Sequence, residues 1–236
     1  MRLQVIAEGS SWWDRFIRRW GVSFLIDEDT LFDTFGDPSV FLNNARKMNI
    51  DFSRIRYIVL SHDDWDHASG LWWVINKHKN LSVYVCPGTK KETKERIKSF
   101  GVNVIQTSLF QEIRNNIYST GELISNPKGE VIHEQSLVVK SQNGVSIITG
   151  CAHHGIINIL KLVTKEFGIE INFVLGGFHL KDSSRDEVNA AIQELKSYKI
   201  KHIAPTHCTG KYATGLLEKE FGTNFLRVKQ GCVFDI

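Results

Sequence analysis

The sequence predicts an α/β fold, and three observations predict it. Short apolar runs bounded by turn residues recur along the chain, and amphipathic stretches of helical period lie between many of them. One run, residues 55–60, is apolar apart from Arg56 and ends in the unbroken Tyr57-Ile58-Val59-Leu60, the mark of a strand buried on both faces. Taken in order, residues 3–7, 22–27 and 30–33 read as closely spaced strands, with Asp27-Glu28-Asp29 as a turn. Asp37-Pro38 reads as a helix cap followed by proline at the first helical position, opening a helix to about Met48. Residues 82–86 form the next strand, closed by Pro87-Gly88, and the charged stretch 89–100 the next helix. Short strands follow at 102–106 and within 112–120. Residues 131–140 and 145–149 are expected to pair as a hairpin around Asn143-Gly144, because Asn-Gly supplies the positive φ angles of a tight turn. Helix 155–167, strand 171–175, helix 184–198, strand 201–205 and helix 209–221 complete the pattern.

Composition narrows the function classes. The chain has 236 residues, 42% of them hydrophobic and 23% charged, a balance that supports a packed core and argues against wholesale disorder. Its 29 Lys and Arg against 26 Asp and Glu leave +3, too weak a charge to indicate a nucleic-acid or membrane partner. Neither an apolar run of about 18 residues nor a basic start followed by an apolar run is present, so neither a transmembrane helix nor a signal peptide is expected. Cys86, Cys151, Cys208 and Cys232 form no CxxC pair, which argues against a zinc ribbon or disulfide scaffold and for a reducing, cytoplasmic setting. With no internal repeat or Pro/Ser-rich linker, residues 1–236 read as one domain.

Four strand-like segments end in histidine: His62, His153, His179 and His207. Ligands of layered α/β proteins gather at the carboxyl ends of strands, so these four point to one site. A lone strand-end histidine more often caps a loop, but His62, Asp64, Asp66 and His67 set four imidazole or carboxylate donors within six residues. Those donors suit zinc, manganese or iron. His78 and His202 have basic neighbours and read as solvated, and His133 is ambiguous. His154 reads either as a substrate contact or as a solvated residue at a helix start.

At these positions the sequence resembles the metallo-β-lactamase superfamily, whose signature is H-x-H-x-D-H after a buried strand. Gly150-Cys151-Ala152-His153, Gly176-Gly177-Phe178-His179-Leu180 and His207-Cys208-Thr209-Gly210 resemble its dihydropterin synthase-like branch. The likeness spans roughly Gly21 to Phe234 and implies a four-layer αβ/βα sandwich with a dinuclear site at one edge. Carried over, His62, Asp64 and His153 would bind one divalent ion and Asp66, His67 and His207 a second, while Asp33 would support the metal loop. Two departures stand out. Asp64 replaces the second histidine of the signature, and His179 falls where the wider superfamily has a carboxylate bridging the ions. The resemblance implies a metallohydrolase using a metal-bound hydroxide oriented by Asp66, with His179 either ligating or donating a hydrogen bond to the substrate. Its substrate would be a phosphoester, ester or lactone-like small molecule. A synthase joining an aromatic phosphate compound and a non-catalytic metal-binding protein are the alternatives. Asp64 makes the first site richer in oxygen and so favours manganese or iron over zinc. Cys151 and Cys208 read as small buried neighbours of the ligands; as ligands they would favour zinc instead.

Substrate contacts are sought in residues 10–20, which hold Trp12, Trp13, Arg15, Arg18 and Arg19. Trp faces stack on flat rings and Arg forks recognise phosphate, so this segment suits an aromatic, phosphorylated ligand. Equally, Trp13, Phe16, Ile17 and Trp20 recur at helical spacing and would form a buried apolar face. Trp72 and Trp73 either line the same pocket or belong to the core. Nothing in the sequence indicates the oligomeric state.

Overall fold

The computed structural model describes residues 1–126 and 129–236. The amino-terminal half runs β1 (Arg2–Gly9), α1 (Trp12–Phe16), β2 (Gly21–Ile26), β3 (Thr30–Phe32), α2 (Pro38–Lys47), β4 (Tyr57–Val59), α3 (Trp65–Ala68), α4 (Leu71–Lys77), β5 (Ser82–Val85), α5 (Lys91–Ser99) and β6 (Asn103–Gln106). There follow β7 (Gln111–Arg114), β8 (Ile117–Ser119), β9 (Leu123–Ser125), β10 (Ile132–Glu134), β11 (Leu137–Ser141) and β12 (Gly144–Thr149). The chain ends with α6 (Ile156–Phe167), β13 (Ile171–Gly177), α7 (Arg185–Ser197), β14 (His202–Thr206), α8 (Lys211–Phe221) and β15 (Val233–Asp235). One sheet has the order β15-β1-β2-β3-β4-β5-β6, a second β14-β13-β12-β11-β8-β7, and β9 pairs with β10 alone. No described helix is long and apolar enough to cross a membrane.

Period-two side-chain alternation distributes the core among layers. Val22, Phe24 and Ile26 of β2, Ile148 of β12 and Phe173 and Leu175 of β13 meet in one buried cluster between the sheets. Leu25 and Leu31 instead pack on the outer face with Phe41, Leu71 and Ile97 from α2, α4 and α5. Ile147 and Val174 do the same on the other side with Ile159, Ile192 and Leu217 from α6, α7 and α8. The result is helices, sheet, sheet, helices: the αβ/βα sandwich.

Strands β3, β4 and β5 are parallel, as are β12, β13 and β14. Their carboxyl ends therefore leave each sheet on one edge. Asp33, the 60–67 loop, the 150–153 turn, His179 and His207 all follow directly from those ends.

The continuous strand expected over 131–140 is divided in the structure. β10 pairs with β9, β11 pairs with β12 and β8, and Gln135-Ser136 lies between. The reason is a buried polar strut. The Gln135 backbone N–H donates to Ser61 O at 2.9 Å, and its side-chain Nε2 donates to Leu60 O at 2.9 Å. Its Oε1 accepts from the hydroxyls of Thr107 and Ser119. Gln135 is fully buried and ties the second sheet to the start of the histidine-rich loop. Replacing it by leucine takes this partner from the Ser119 hydroxyl and the Leu60 carbonyl, while Thr107 Oγ1 keeps Val85 O, and each buried group left without a partner costs about 1–3 kcal/mol. Urea unfolding of Gln135→Leu is expected to show a loss of about 2–4 kcal/mol; a change within experimental error would show that the strut carries no stability.

Candidate metal centre

Two buried carboxylates set the geometry of this edge. Asp33 follows β3 at φ +55° and is fully buried. It accepts from Ser61 N at 2.7 Å, Ser61 Oγ at 2.8 Å and His67 Nδ1 at 2.6 Å. With its proton given to Asp33, the Ser61 hydroxyl can accept from His62 Nδ1, 2.9 Å away. Both imidazoles are thereby held through Nδ1, and their Nε2 atoms are free to ligate. The short helix α3 follows Asp64 directly and delivers Asp66 and His67 on its first turn. Asp66 Oδ2 then lies 3.4 Å from His67 Nε2 and 3.4 Å from His207 Nε2, while Asp64 Oδ2 is 3.5 Å from His62 Nε2.

Glu134 does the corresponding work on the other side. Its Oε1 accepts the N–H groups of Cys151 and Ala152, each at 2.9 Å, and its Oε2 accepts His153 N at 2.6 Å and His153 Nδ1 at 3.1 Å. The sequence reading did not identify Glu134, because it sits alone at the end of a short strand with no ligand-like spacing. An acid beside an apolar strand was the one signal available. Burial pushes the Glu134 carboxyl up, but the His153 contact and the backbone donors outweigh it and hold it well below the usual carboxylate range. Burial likewise opposes charge on Asp66 and on His67; their mutual attraction, joined by His207 and Asp33, keeps Asp66 ionised and raises His67 well above its ordinary value. The same field attracts a cation.

His207 supplies the test of whether a metal fits. Its Nδ1 donates to Gly9 O at 3.0 Å, its ring lies 4.6 Å from that of Trp20, and its buried Nε2 has no hydrogen-bond partner. An orphaned, buried imidazole nitrogen beside an ionised carboxylate is what a metal ligand leaves when described by protein atoms alone. The rings connect into one cluster: His62 to His67 at 4.2 Å, His62 to His153 at 4.9 Å, His67 to His207 at 5.1 Å and His153 to His179 at 4.4 Å. Three donor groups have all their ligating atoms within 4.8 Å of one another: His62 with Cys151 and His153, His67 with Cys151 and His207, and Cys151 with His179 and Cys208. Ala152, His179 and His207 have φ of +59°, +51° and +51°, left-handed conformations that cost strain in non-glycine residues.

The cluster opens into a cavity of about 200 Å³ whose wall includes Arg15, Trp20, Trp65 and Lys181. Of the expected substrate residues, Arg15 reaches this cavity and Trp12 lines an adjoining one with Lys181 and Lys211. Arg18 lies over the Trp65 ring at 4.9 Å. Trp13 and Arg19 are exposed. His154 is half-buried, and its Nδ1 meets Ile124 O at 3.0 Å, away from the cluster. The buried apolar helix face expected for residues 13–20 does not form. Helix α1 is short, closed by a Ser11–Asp14 capping box, and Trp12, Trp13 and Phe16 stack on one another in solvent; only Trp20 is buried. Trp72 and Trp73 pack away from the site, the first under Arg96 at 3.9 Å and the second near Phe52.

This fold and this donor set define a class of protein: a layered α/β scaffold with a histidine- and carboxylate-rich metal edge. The sequence model of the metallo-beta-lactamase superfamily matches residues 21–207, and the chain belongs to that superfamily. It is similar to the 7,8-dihydropterin-6-methyl-4-(beta-D-ribofuranosyl)-aminobenzene-5'-phosphate synthase of Methanocaldococcus jannaschii, with 28% identity over 89% of this chain and 88% of that one. An uncharacterized protein of the same organism is 30% identical, covering 83% of this chain and 86% of its own length. The crystal structure of Tm1679, described as a metal-dependent hydrolase of the beta-lactamase superfamily, matches with TM-score 0.81 and 27% identity, covering 100% of this chain and 99% of that one.

Glu134→Gln exchanges an anion holding four donors for an amide, and is expected to cost about 3–5 kcal/mol at neutral pH. Because the folded-state pKa is depressed, that stability is present above the unfolded carboxyl value of about 4.3 and is lost as pH falls below it. Thermal unfolding at several pH values should therefore show a wild-type advantage that is largest above about pH 5 and shrinks in acid; a pH-independent gap would contradict this account.

Proposed function

We propose that the protein is a metal-dependent enzyme of the hydrolase type, working at two adjacent divalent ions on a small phosphoester, ester or lactone-like substrate. The observation that supports this most is the orphaned, buried Nε2 of His207 facing the Asp66 carboxylate within a connected cluster of imidazoles. In this reading His62, Asp64 and His153 hold one ion, and Asp66, His67 and His207 hold the other. Such ions would supply Lewis acidity and bring the pKa of water toward neutrality.

The chain's own residues do the rest. Asp33 and Glu134 keep His67 and His153 oriented through Nδ1, so the ligating nitrogens are positioned before substrate arrives. Asp66, beside both His67 and His207, orients the attacking oxygen. His179, exposed at the mouth beside His153, donates a hydrogen bond to negative charge developing on the substrate or adds a ligand. Arg15 and Lys181 place positive charge on the cavity wall and favour an anionic substrate.

A second reading is favoured by the 28% identity to the Methanocaldococcus jannaschii synthase: the same centre would join an aromatic phosphate compound to a second substrate. The exposed Trp12 beside Lys181 and Lys211 suits an aromatic ring carrying phosphate. Elemental analysis of protein purified without chelator is expected to give two equivalents of divalent metal. His67→Ala is expected to lower both metal content and turnover to background in a panel of phosphodiester, lactone and pterin substrates. Full activity in His67→Ala, or metal-free wild-type protein that turns over, would place the chemistry elsewhere.

A further inference from the structure

The geometry points to Cys151 as a metal ligand shared between the two histidine pairs, its thiolate reaching both. This deepens the reading given above and rests on it. Each carboxylate of the cluster serves one side only: Asp64 meets His62 at 3.5 Å, whereas Asp66 meets His67 and His207 at 3.4 Å each. The Cys151 Sγ atom belongs to both sides. It groups within 4.8 Å with the ligating atoms of His62 and His153, and again with those of His67 and His207, and it is 3.4 Å from His67 Nε2.

Its position is imposed by the backbone. The N–H groups of Cys151, Ala152 and His153 all end on Glu134, so three bonds to a buried anion fix the backbone from which the thiol projects. Gly177 packs against the same turn: a Cβ there would fall 3.2 Å from Cys151 Cα and 2.6 Å from Cys208 Sγ. Cys208 has a different task, because its Sγ donates to Cys151 O at 3.4 Å and thereby supports the turn.

Charge also favours a third anion. Among groups in direct reach of the ions, Asp64 and Asp66 bring two negative charges against four positive, since Asp33 and Glu134 are engaged with imidazole Nδ1 atoms and the imidazole of His179 adds none. Binding through sulfur releases the thiol proton to solvent and leaves a thiolate on the metal. The soft donor also offsets the manganese or iron preference expected from Asp64 and turns the centre toward zinc and cobalt.

Cobalt(II) titration of the chelator-treated full chain reads this directly, without reference to turnover. Wild-type protein is expected to develop a near-ultraviolet thiolate-to-cobalt charge-transfer band that saturates with binding. Cys151→Ser should lose the band and bind zinc at least about tenfold more weakly, while Cys208→Ser should keep the band. Cobalt bound by the wild type without the band, or a band that survives in Cys151→Ser and disappears in Cys208→Ser, would overturn the assignment and leave the metal reading standing. A wild-type protein that binds no cobalt would overturn both.

Discussion

Everything at the metal edge depends on two carboxylates that water does not reach. Asp33 is fully buried and Glu134 only 2% exposed, and a buried anion is tolerated only when hydrogen-bond donors surround it. Asp33 finds its donors in Ser61 and His67, Glu134 in the 151–153 backbone and His153. Each acid thus demands one loop conformation and one imidazole orientation. The two loops also interlock: a Cβ on Gly150 would fall 2.2 Å from Ser61 Oγ and 2.9 Å from Asp33 Oδ2, so only glycine allows the second turn to close on the first. The strain of positive φ at Ala152, His179 and His207 is held by this arrangement.

The layered scaffold was legible in the sequence wherever one local signal decided the outcome. Asp37-Pro38 does open a helix, with the Asp37 carboxylate accepting from Ser39 N and Val40 N, and Asn143-Gly144 does turn β11 into β12. What escaped the sequence depends on partners far along the chain. Strand β15 exists because residues 233–235 pair with residues 2–4, and no periodicity announces that. The break at Gln135 reflects acceptors at Leu60 and Tyr84, and the role of Glu134 reflects donors at 151–153. Helix α1 misled for the opposite reason: its aromatic spacing is real, but no apolar surface lies opposite it and the rings stay in solvent.

The site was legible in part. The close spacing of His62, Asp64, Asp66 and His67, and histidines at strand ends, pointed to one edge, and the structure brings these residues together because parallel strands deliver their carboxyl ends side by side. His154, read as a substrate contact or a solvated residue at a helix start, turns its ring to Ile124 O instead of the cluster. Cys151 reads as a small buried neighbour of the ligands, and in the structure it is buried with Trp20 and Cys208 while its sulfur also lies among the imidazoles. With the proposed ligands, the edge would unite donors of unlike hardness, oxygen at Asp64 and sulfur at Cys151.

The central claim is that the protein holds its ligands in place ahead of any metal, through Asp33 and Glu134. Anomalous diffraction from crystals of the chain loaded with zinc or manganese tests it most directly. The account requires two metal peaks, one bounded by His62 and His153 and one by His67 and His207, with the hydrogen bonds of Asp33 and Glu134 unchanged. A single peak outside these pairs, or ions bound only after the 60–67 and 150–153 segments rearrange, would contradict it.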